Sequence, residues 1–265
     1  MKPISEISEQ ECSVIKAIFF DIDDTFTLDG KIPKESYNAL WTLKEAGLFL
    51  IPVTGRPAGW CDHISRMWPV DGVIGENGAF YFYYDEKKTR RRDRYFFSPE
   101  EAKEKRAELE KIKDEILESV SEAGLASDQA YRIFDLAIDF AEDVGPLPDE
   151  DVDRICSIFA IHGARYKVSS IHVNGWFGDY DKLIMTKVFM EERLGMDVEN
   201  SDQAALFVGD SPNDEPMFRF FDLSIGVANI ARFKDRIEHL PAYVTRARGG
   251  LGFAEMAKVI LEKRK

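Results

Sequence analysis

Apolar residues fall along this chain in two distinct styles. Val14–Asp21 (VIKAIFFD) is short and almost wholly apolar, the texture of a strand covered on both faces in a parallel sheet. Leu48–Thr54 (LFLIPVT) reads the same way, although Pro52 is an awkward strand residue. Between them, Pro33 and Gly47 bracket a helix, with proline at its start and glycine past its end. A helix through Gly59–Met67 and a strand at Gly72–Ile74 continue the alternation, which is that of an α/β layer fold.

The texture changes near Tyr84. Asp85–Arg94 is densely charged and predicts a solvated hairpin. Glu100–Ala123 places Leu109, Ile112, Ile116, Leu117 and Val120 on one stripe of a long polar helix, with Gly124 at its C-terminus. In Arg132–Phe140, apolar residues alternate with Asp135, Ala137 and Asp139, which predicts a half-exposed strand. Asp149–Asp151 open a helix running to about His162, and strands follow at Arg165–Ser169 and His172–Phe177. The first style then returns. Lys182–Leu194 reads as a helix and Ala205–Val208 as a buried strand. A short helix at Pro216–Phe221, strands at Leu223–Val227 and Tyr243–Thr245 and a final helix through Phe253–Leu261 complete the chain. The predicted architecture is α/β: a doubly wound, Rossmann-like parallel sheet from residues 1–83 and 180–265, with residues 84–179 inserted as an α+β module bearing a one-sided sheet.

Composition narrows the function classes. The 265 residues are 45% hydrophobic and 31% charged, enough apolar material for a core without staples. The 48 acidic against 35 basic side chains leave a net charge of −13, a field that opposes nucleic acid and anionic membranes but not a small phosphorylated molecule. Cys12, Cys61 and Cys156 are odd in number and widely spaced, so neither a disulfide framework nor a zinc motif is expected. No apolar run approaches the ~20 residues of a membrane span. Met1–Ser13 is polar, without an apolar signal core, and the reducing cytoplasm is the expected compartment.

Chemistry gathers at three predicted strand ends, where open parallel sheets form their sites. The first carries Asp21-Ile22-Asp23-Asp24-Thr25, the second Thr54-Gly55-Arg56 and the late one Gly209-Asp210-Ser211-Pro212-Asn213-Asp214. Lys182 stands at the start of the helix that leads to the last strand. Each stretch alone reads as a turn or a surface lysine; their joint order reads as a site. Two carboxylates two residues apart can share a hard cation such as Mg²⁺. One can attack phosphorus while the other moves a proton. A lysine and a hydroxyl then stabilise the transferring phosphoryl oxygens.

These motifs resemble those of the haloacid dehalogenase-like phosphatases, in the subclass with an α/β cap inserted between the second and third motifs. FFDIDDTFT is similar to the first motif, VTGR to the second, the Lys182 helix to the third and VGDSPND to the fourth; IGENGA at Ile74–Ala79 is also similar to a stretch common in that subclass. The resemblance implies Asp21 as nucleophile and Asp23 as general acid/base, with the backbone carbonyl of Asp23 on the metal. It implies Thr54 and Lys182 on the phosphoryl oxygens, beside Gly55 and Arg56, and Mg²⁺ held by Asp21, Asp23, Asp210 and Asp214 with Asn213 in support. Asp24 stands where many relatives have glycine; aspartate tolerates a positive φ better than most residues.

The expected activity is Mg²⁺-dependent hydrolysis of a small phosphomonoester, a sugar phosphate, through an aspartyl-phosphate. A phosphosugar mutase of the phosphomannomutase type is the alternative, and the motifs do not separate the two. Within the insert, Asn174 and Trp176 are the candidate contacts to the substrate's leaving group.

Overall fold

The computed structural model describes residues 1–169, 171–198 and 204–264. In chain order the first stretch forms β1 (Lys2–Pro3), α1 (Glu9–Val14), β2 (Ala17–Phe20), α2 (Lys34–Glu45), β3 (Phe49–Pro52), α3 (Ala58–Met67), β4 (Val73–Gly75), β5 (Phe80–Asp85) and β6 (Arg90–Tyr95). The middle forms α4 (Pro99–Ser119), β7 (Gly124–Leu125), β8 (Asp135–Asp139), α5 (Asp149–Ile161), β9 (Arg165–Val168) and β10 (His172–Trp176). The last stretch forms α6 (Lys182–Phe189), β11 (Ala205–Gly209), α7 (Glu215–Phe220), β12 (Leu223–Gly226), β13 (Tyr243–Val244) and α8 (Gly249–Lys263). Two compact units result, one of Met1–Gly55, Asp62–Arg94 and Asp181–Lys265, the other of Arg56–Cys61 and Tyr95–Tyr180.

The first unit is built on a six-stranded sheet in the order β1-β13-β12-β11-β2-β3, parallel throughout. Its strands obey the two-residue side-chain period. Ile18, Phe20, Leu50, Leu206, Val208 and Ile225 face one way, onto Leu40 and Leu43 of α2 and Phe253, Met256 and Ile260 of α8. Ala17, Phe19, Ile51, Ala205 and Phe207 face the other way, onto Met185 and Phe189 of α6 and Met217 and Phe218 of α7. Both faces are covered, which is why these strands read as unbroken apolar runs. Pro52 fits because Phe49 donates its N–H to Lys16, just before β2, and Val53 donates to Phe20, so the alternating position 52 faces away from that ladder. The two-residue β1, paired to β13, lies in a segment whose sequence pattern reads only as a polar terminus.

The unit boundary differs from the expected 83/84. Residues 84–94 stay with the first unit, because β5 pairs with β4 and carries β6 as the far strand of the same three-stranded sheet. Arg56–Cys61 group instead with the second unit. There, a four-stranded antiparallel sheet, β7-β8-β10-β9, packs Leu136, Ile138 and Val173 on Leu109, Ile112 and Ile116 of α4 and Ile155 and Phe159 of α5. Gly175 lies on this face because a Cβ there would stand 2.0 Å from Phe159 Cε1.

Two expectations in this segment are corrected. The long helix ends at Ser119 rather than at Gly124, as Val120 leaves helical geometry (φ −132°, ψ 81°) and Gly124 opens β7. Strand β8 is buried at all five positions instead of half exposed. Its acids are buried because they are paired: Asp135 takes two 3.0 Å bonds from Arg132, and Asp139 accepts the N–H groups of Ala141, Glu142 and Asp143 at 2.8–2.9 Å.

Candidate active site

Asp21 immediately follows β2 and Asp210 immediately follows β11, so adjacent parallel strands deliver two carboxylates at the same sheet edge. Asp214 ends the 3₁₀ turn Pro212–Asp214 and is fully buried. Its Oδ2 accepts the N–H of Asp210 at 3.1 Å, which folds the loop back on itself. Carboxylate oxygens of Asp21, Asp210 and Asp214 all lie within 4.8 Å of one another. Lys182, the first residue of α6, puts its Nζ 2.6 Å from Asp21 Oδ1 and 2.8 Å from Asp214 Oδ1. Asp181 caps that helix by accepting the N–H of Ile184 at 2.8 Å, which fixes where Lys182 begins.

Three buried carboxylates around one ammonium leave an excess of negative charge. Burial pushes the carboxyl of Asp21 up to about 7, aided by the charges of Asp214 and Asp23 and opposed by Lys182. Burial, with Asp214, Asp21 and Asp24 nearby, pushes Asp210 up to about 9. The same carboxylates hold the Lys182 ammonium well above its ordinary value, against the effect of its own burial. All the donors are hard oxygens and their charge is uncompensated, the chemistry that suits Mg²⁺ or a similar divalent ion. The residues therefore fit a divalent cation. Asp23 is not among the three clustered carboxylates, which leaves its backbone carbonyl as the atom the resemblance assigns to metal.

A second layer fixes Asp210, and sequence reasoning missed most of it. Asn229 donates to Asp210 Oδ2 at 2.8 Å and to the carbonyl of Asp24 at 3.0 Å, while its Oδ1 accepts the N–H of Gly249 at 3.0 Å. One amide thus ties together the loop after β2, the loop after β11 and the start of α8. Thr25 donates to Asp210 Oδ1 at 3.2 Å. Asp24 adopts φ +56°, the left-handed conformation that explains glycine's use at such a position, and its N–H donates to Thr27 Oγ1 at 3.0 Å. The glycines at 249 and 250 permit this closeness: a Cβ at Gly250 would stand 2.4 Å from the carbonyl oxygen of Phe26. The Gly249–Gly252 run by itself reads as a loop feeding the final helix, and nothing in the sequence marks Asn229 among the other asparagines.

Thr54 is buried in the first unit, with its N–H on the carbonyl of Ile74 and its own carbonyl accepting the N–H of Asn77. Gly55 follows it, where a Cβ would stand 3.0 Å from Asn77 Oδ1. Asn213 lies in the same turn as Asp214. Arg56 belongs to the second unit, its guanidinium 4.4 Å above the ring of Trp60. Asn174 and Trp176 also lie there, on the sheet face opposite the helices. Asn174 donates to Asp135 Oδ2 at 3.1 Å, and the Trp176 ring stacks on Tyr180 at 5.9 Å. The indole Nε1 of Trp176 is buried without a hydrogen-bond partner among the described residues.

The family model of the haloacid dehalogenase-like hydrolases matches residues 18–138. Among solved structures, a Thermoplasma acidophilum protein is similar over 93% of this chain and 98% of its own, with a TM-score of 0.73 and 20% identity. A haloacid dehalogenase-like hydrolase from Bacteroides thetaiotaomicron covers 93% and 99%, with a TM-score of 0.69 and 15% identity. The sucrose-phosphatase of Synechocystis, solved with sucrose and phosphate, covers 92% and 97%, with a TM-score of 0.62 and 16% identity. At these identities the likeness is one of fold. No curated protein matches the sequence significantly.

Proposed function

We propose that this chain is a haloacid dehalogenase-like hydrolase, a Mg²⁺-dependent phosphatase that cleaves a small phosphomonoester, a sugar phosphate, through an aspartyl-phosphate on Asp21. One observation carries the reading: three buried carboxylates cluster at the carboxyl edge of a parallel sheet, and the Lys182 ammonium bonds two of them, Asp21 and Asp214. The wide alignment with the sucrose-phosphatase supports the substrate class.

In this reading Asp21, Asp210 and the Asp23 carbonyl hold the cation, with Asp214 and Asn213 behind them. The bound cation supplies positive charge against the phosphoryl oxygens, which a protein of net charge −13 must provide locally. Lys182, Thr54 and the backbone after it orient the same oxygens. A carboxylate oxygen of Asp21 attacks phosphorus, and the bond to the leaving alkoxide breaks as Asp23 delivers a proton to it. Asp23, now a carboxylate, takes a proton from water. That water attacks phosphorus and releases inorganic phosphate and the Asp21 carboxylate. The inserted module would set substrate choice, with Asn174 and Trp176 as its contacts, while Arg56 adds positive charge beside Thr54 and Gly55. The soluble phosphate ester is the only partner this chemistry requires.

The test is turnover of p-nitrophenyl phosphate and a panel of hexose phosphates with Mg²⁺ and with EDTA, for the wild type and Asp21→Asn. Phosphate release that needs the cation and vanishes in the variant is expected. Release unaffected by EDTA, or retained by Asp21→Asn, overturns the reading. Formation of a hexose bisphosphate in place of free phosphate assigns the alternative, phosphoryl transfer to a second sugar.

A further inference from the structure

The second unit contains a side-chain cluster that the reaction does not use. Strands β8 and β10 pair antiparallel with Asp139 directly opposite His172, so both side chains lie on the face away from α4 and α5. The turn that follows β8 brings back Glu142. One ligand atom from each of Asp139, Glu142 and His172 lies within 4.8 Å of the others. Asp139 and His172 are 1% and 4% exposed, whereas the Glu142 side chain is 39% exposed. The cluster is thus closed on the sheet side and open to solvent through Glu142.

The histidine is the informative member. Its Nε2 is buried and stands 2.9 Å from Glu142 Oε2, yet the geometry there is not that of a hydrogen bond, and the atom has no hydrogen-bond partner among the described residues. A buried ring nitrogen this close to a carboxylate yet outside hydrogen-bond geometry is costly as it stands. It is satisfied by an ion that accepts its lone pair. Three backbone N–H groups, of Ala141, Glu142 and Asp143, hold the Asp139 carboxylate in place. Its Oδ1 already accepts two of those bonds, while Oδ2 accepts only the N–H of Asp143 and keeps acceptor capacity for an ion.

We propose that Asp139, Glu142 and His172 form a second metal site, in the insert, for a divalent transition ion of the zinc type. One imidazole and two carboxylates with an open fourth position is a zinc-type donor set, with bonds of roughly 2.0–2.2 Å. Imidazole favours zinc-like ions over Mg²⁺, so the site differs in kind from the all-oxygen cluster of the first unit. Bound there, the ion clamps the turn at residues 140–143 to β8 and β10. Its role is to hold the end of this sheet, with no part in phosphoryl transfer.

The experiment strips the protein with EDTA and titrates Zn²⁺ against a chromophoric chelator, following the thermal midpoint in parallel. The Asp210→Asn background weakens the first cluster, so that differences report the second. Adding His172→Gln or Glu142→Gln to that background is expected to weaken one zinc equivalent at least tenfold and to abolish the zinc-dependent rise in thermal midpoint. Glu142 is partly exposed, so Glu142→Gln decides the matter if His172→Gln fails to fold. Zinc stoichiometry and affinity unchanged by Glu142→Gln would overturn the proposal and leave an unassisted histidine–carboxylate pair. The readout is binding and stability, so it is independent of whether the protein is a phosphatase.

Discussion

Lys182 Nζ lies 2.6 Å from Asp21 Oδ1, in a pair formed between the start of α6 and the end of β2, 161 residues apart in sequence. Both side chains are about nine-tenths buried or more. Breaking a buried pair by removing one partner ordinarily costs about 3–5 kcal/mol, because the other charge is left uncompensated. Here the orphaned carboxylate has an escape, since it can take up a proton.

Lys182→Met is therefore expected to lose stability in a pH-dependent way. Without the ammonium, the folded-state value of Asp21 rises further above its already raised value of about 7. A carboxyl raised in the folded state stabilises at acid pH and loses that contribution as pH climbs through its folded value. Thermal melts of the metal-free variant should fall well below wild type at pH 8 and approach it at pH 5. An equal deficit at both pH values would show that Lys182 contributes packing and not charge balance.

Metal binding should release protons. Asp21 at about 7 and Asp210 at about 9 both lie above the ordinary 3.8, so the metal-free fold favours their protonated forms. Its stability should fall as pH rises from about 4 through these values, and a bound divalent ion should restore it. The logarithm of Mg²⁺ affinity should rise with a slope near two below pH 7, near one up to pH 9 and flat above that. Calorimetry in two buffers of different ionisation enthalpy counts the protons directly. Mg²⁺ binding at pH 6.5 with no proton release contradicts this account of the site.

Asp23 should be separable from Asp21 by leaving group. If Asp21 is the nucleophile proposed, Asp21→Asn replaces its carboxylate by a poorly nucleophilic amide and is expected to abolish turnover of every substrate. If Asp23 is the proposed acid/base, Asp23→Asn removes proton transfer, worth typically ~10²–10⁴-fold. Its loss should be larger for an alkyl phosphate than for p-nitrophenyl phosphate, whose leaving group needs no proton. If both esters suffer equally, the proton-transfer step at leaving-group departure is not what Asp23 supplies.

Much of this organisation is legible in the sequence, for physical reasons. Strands covered on both faces must be apolar throughout, so Ala17–Phe20 and Ala205–Val208 stand out, and the acids that close such strands break the apolar pattern and mark a site. The insert is harder. Asp135 and Asp139 alternate with Leu136 and Ile138, and that alternation reads as one wet face; the acids are in fact buried, through Arg132 and three backbone N–H groups. Such pairing leaves no periodic trace. Asn229 is illegible for a related reason, since its two acceptors lie on loops 19 and 205 residues away. The end of α4 is misplaced because Gly124 has the composition of a helix stop, while the backbone leaves the helix four residues earlier, at Val120.

The IGENGA stretch makes a last prediction, about positioning. Glu76, Asn77 and Gly78 take three successive positive φ angles, +42°, +57° and +107°. This contortion presses Gly78 against the start of α6: a Cβ there would stand 2.0 Å from the carbonyl oxygen of Asp181 and 3.0 Å from the N of Lys182. Those atoms are backbone and cannot rotate aside. Gly78→Ala must therefore push the helix start back by about 1 Å, and Lys182 with it, away from Asp21 and Asp214. A displacement of that size near reacting groups can cost ~10²-fold in rate. The strained backbone adds roughly 1–3 kcal/mol of destabilisation. Gly163→Ala is the matched control, with φ +70° and nothing within 4 Å of its would-be Cβ. It should cost stability through its backbone conformation alone and leave the rate untouched. The comparison isolates displacement from strain, so measuring kcat and thermal midpoint for both variants is enough. Equal activity in the two, with Gly78→Ala folded, would mean that the approach of this loop to α6 does not place Lys182.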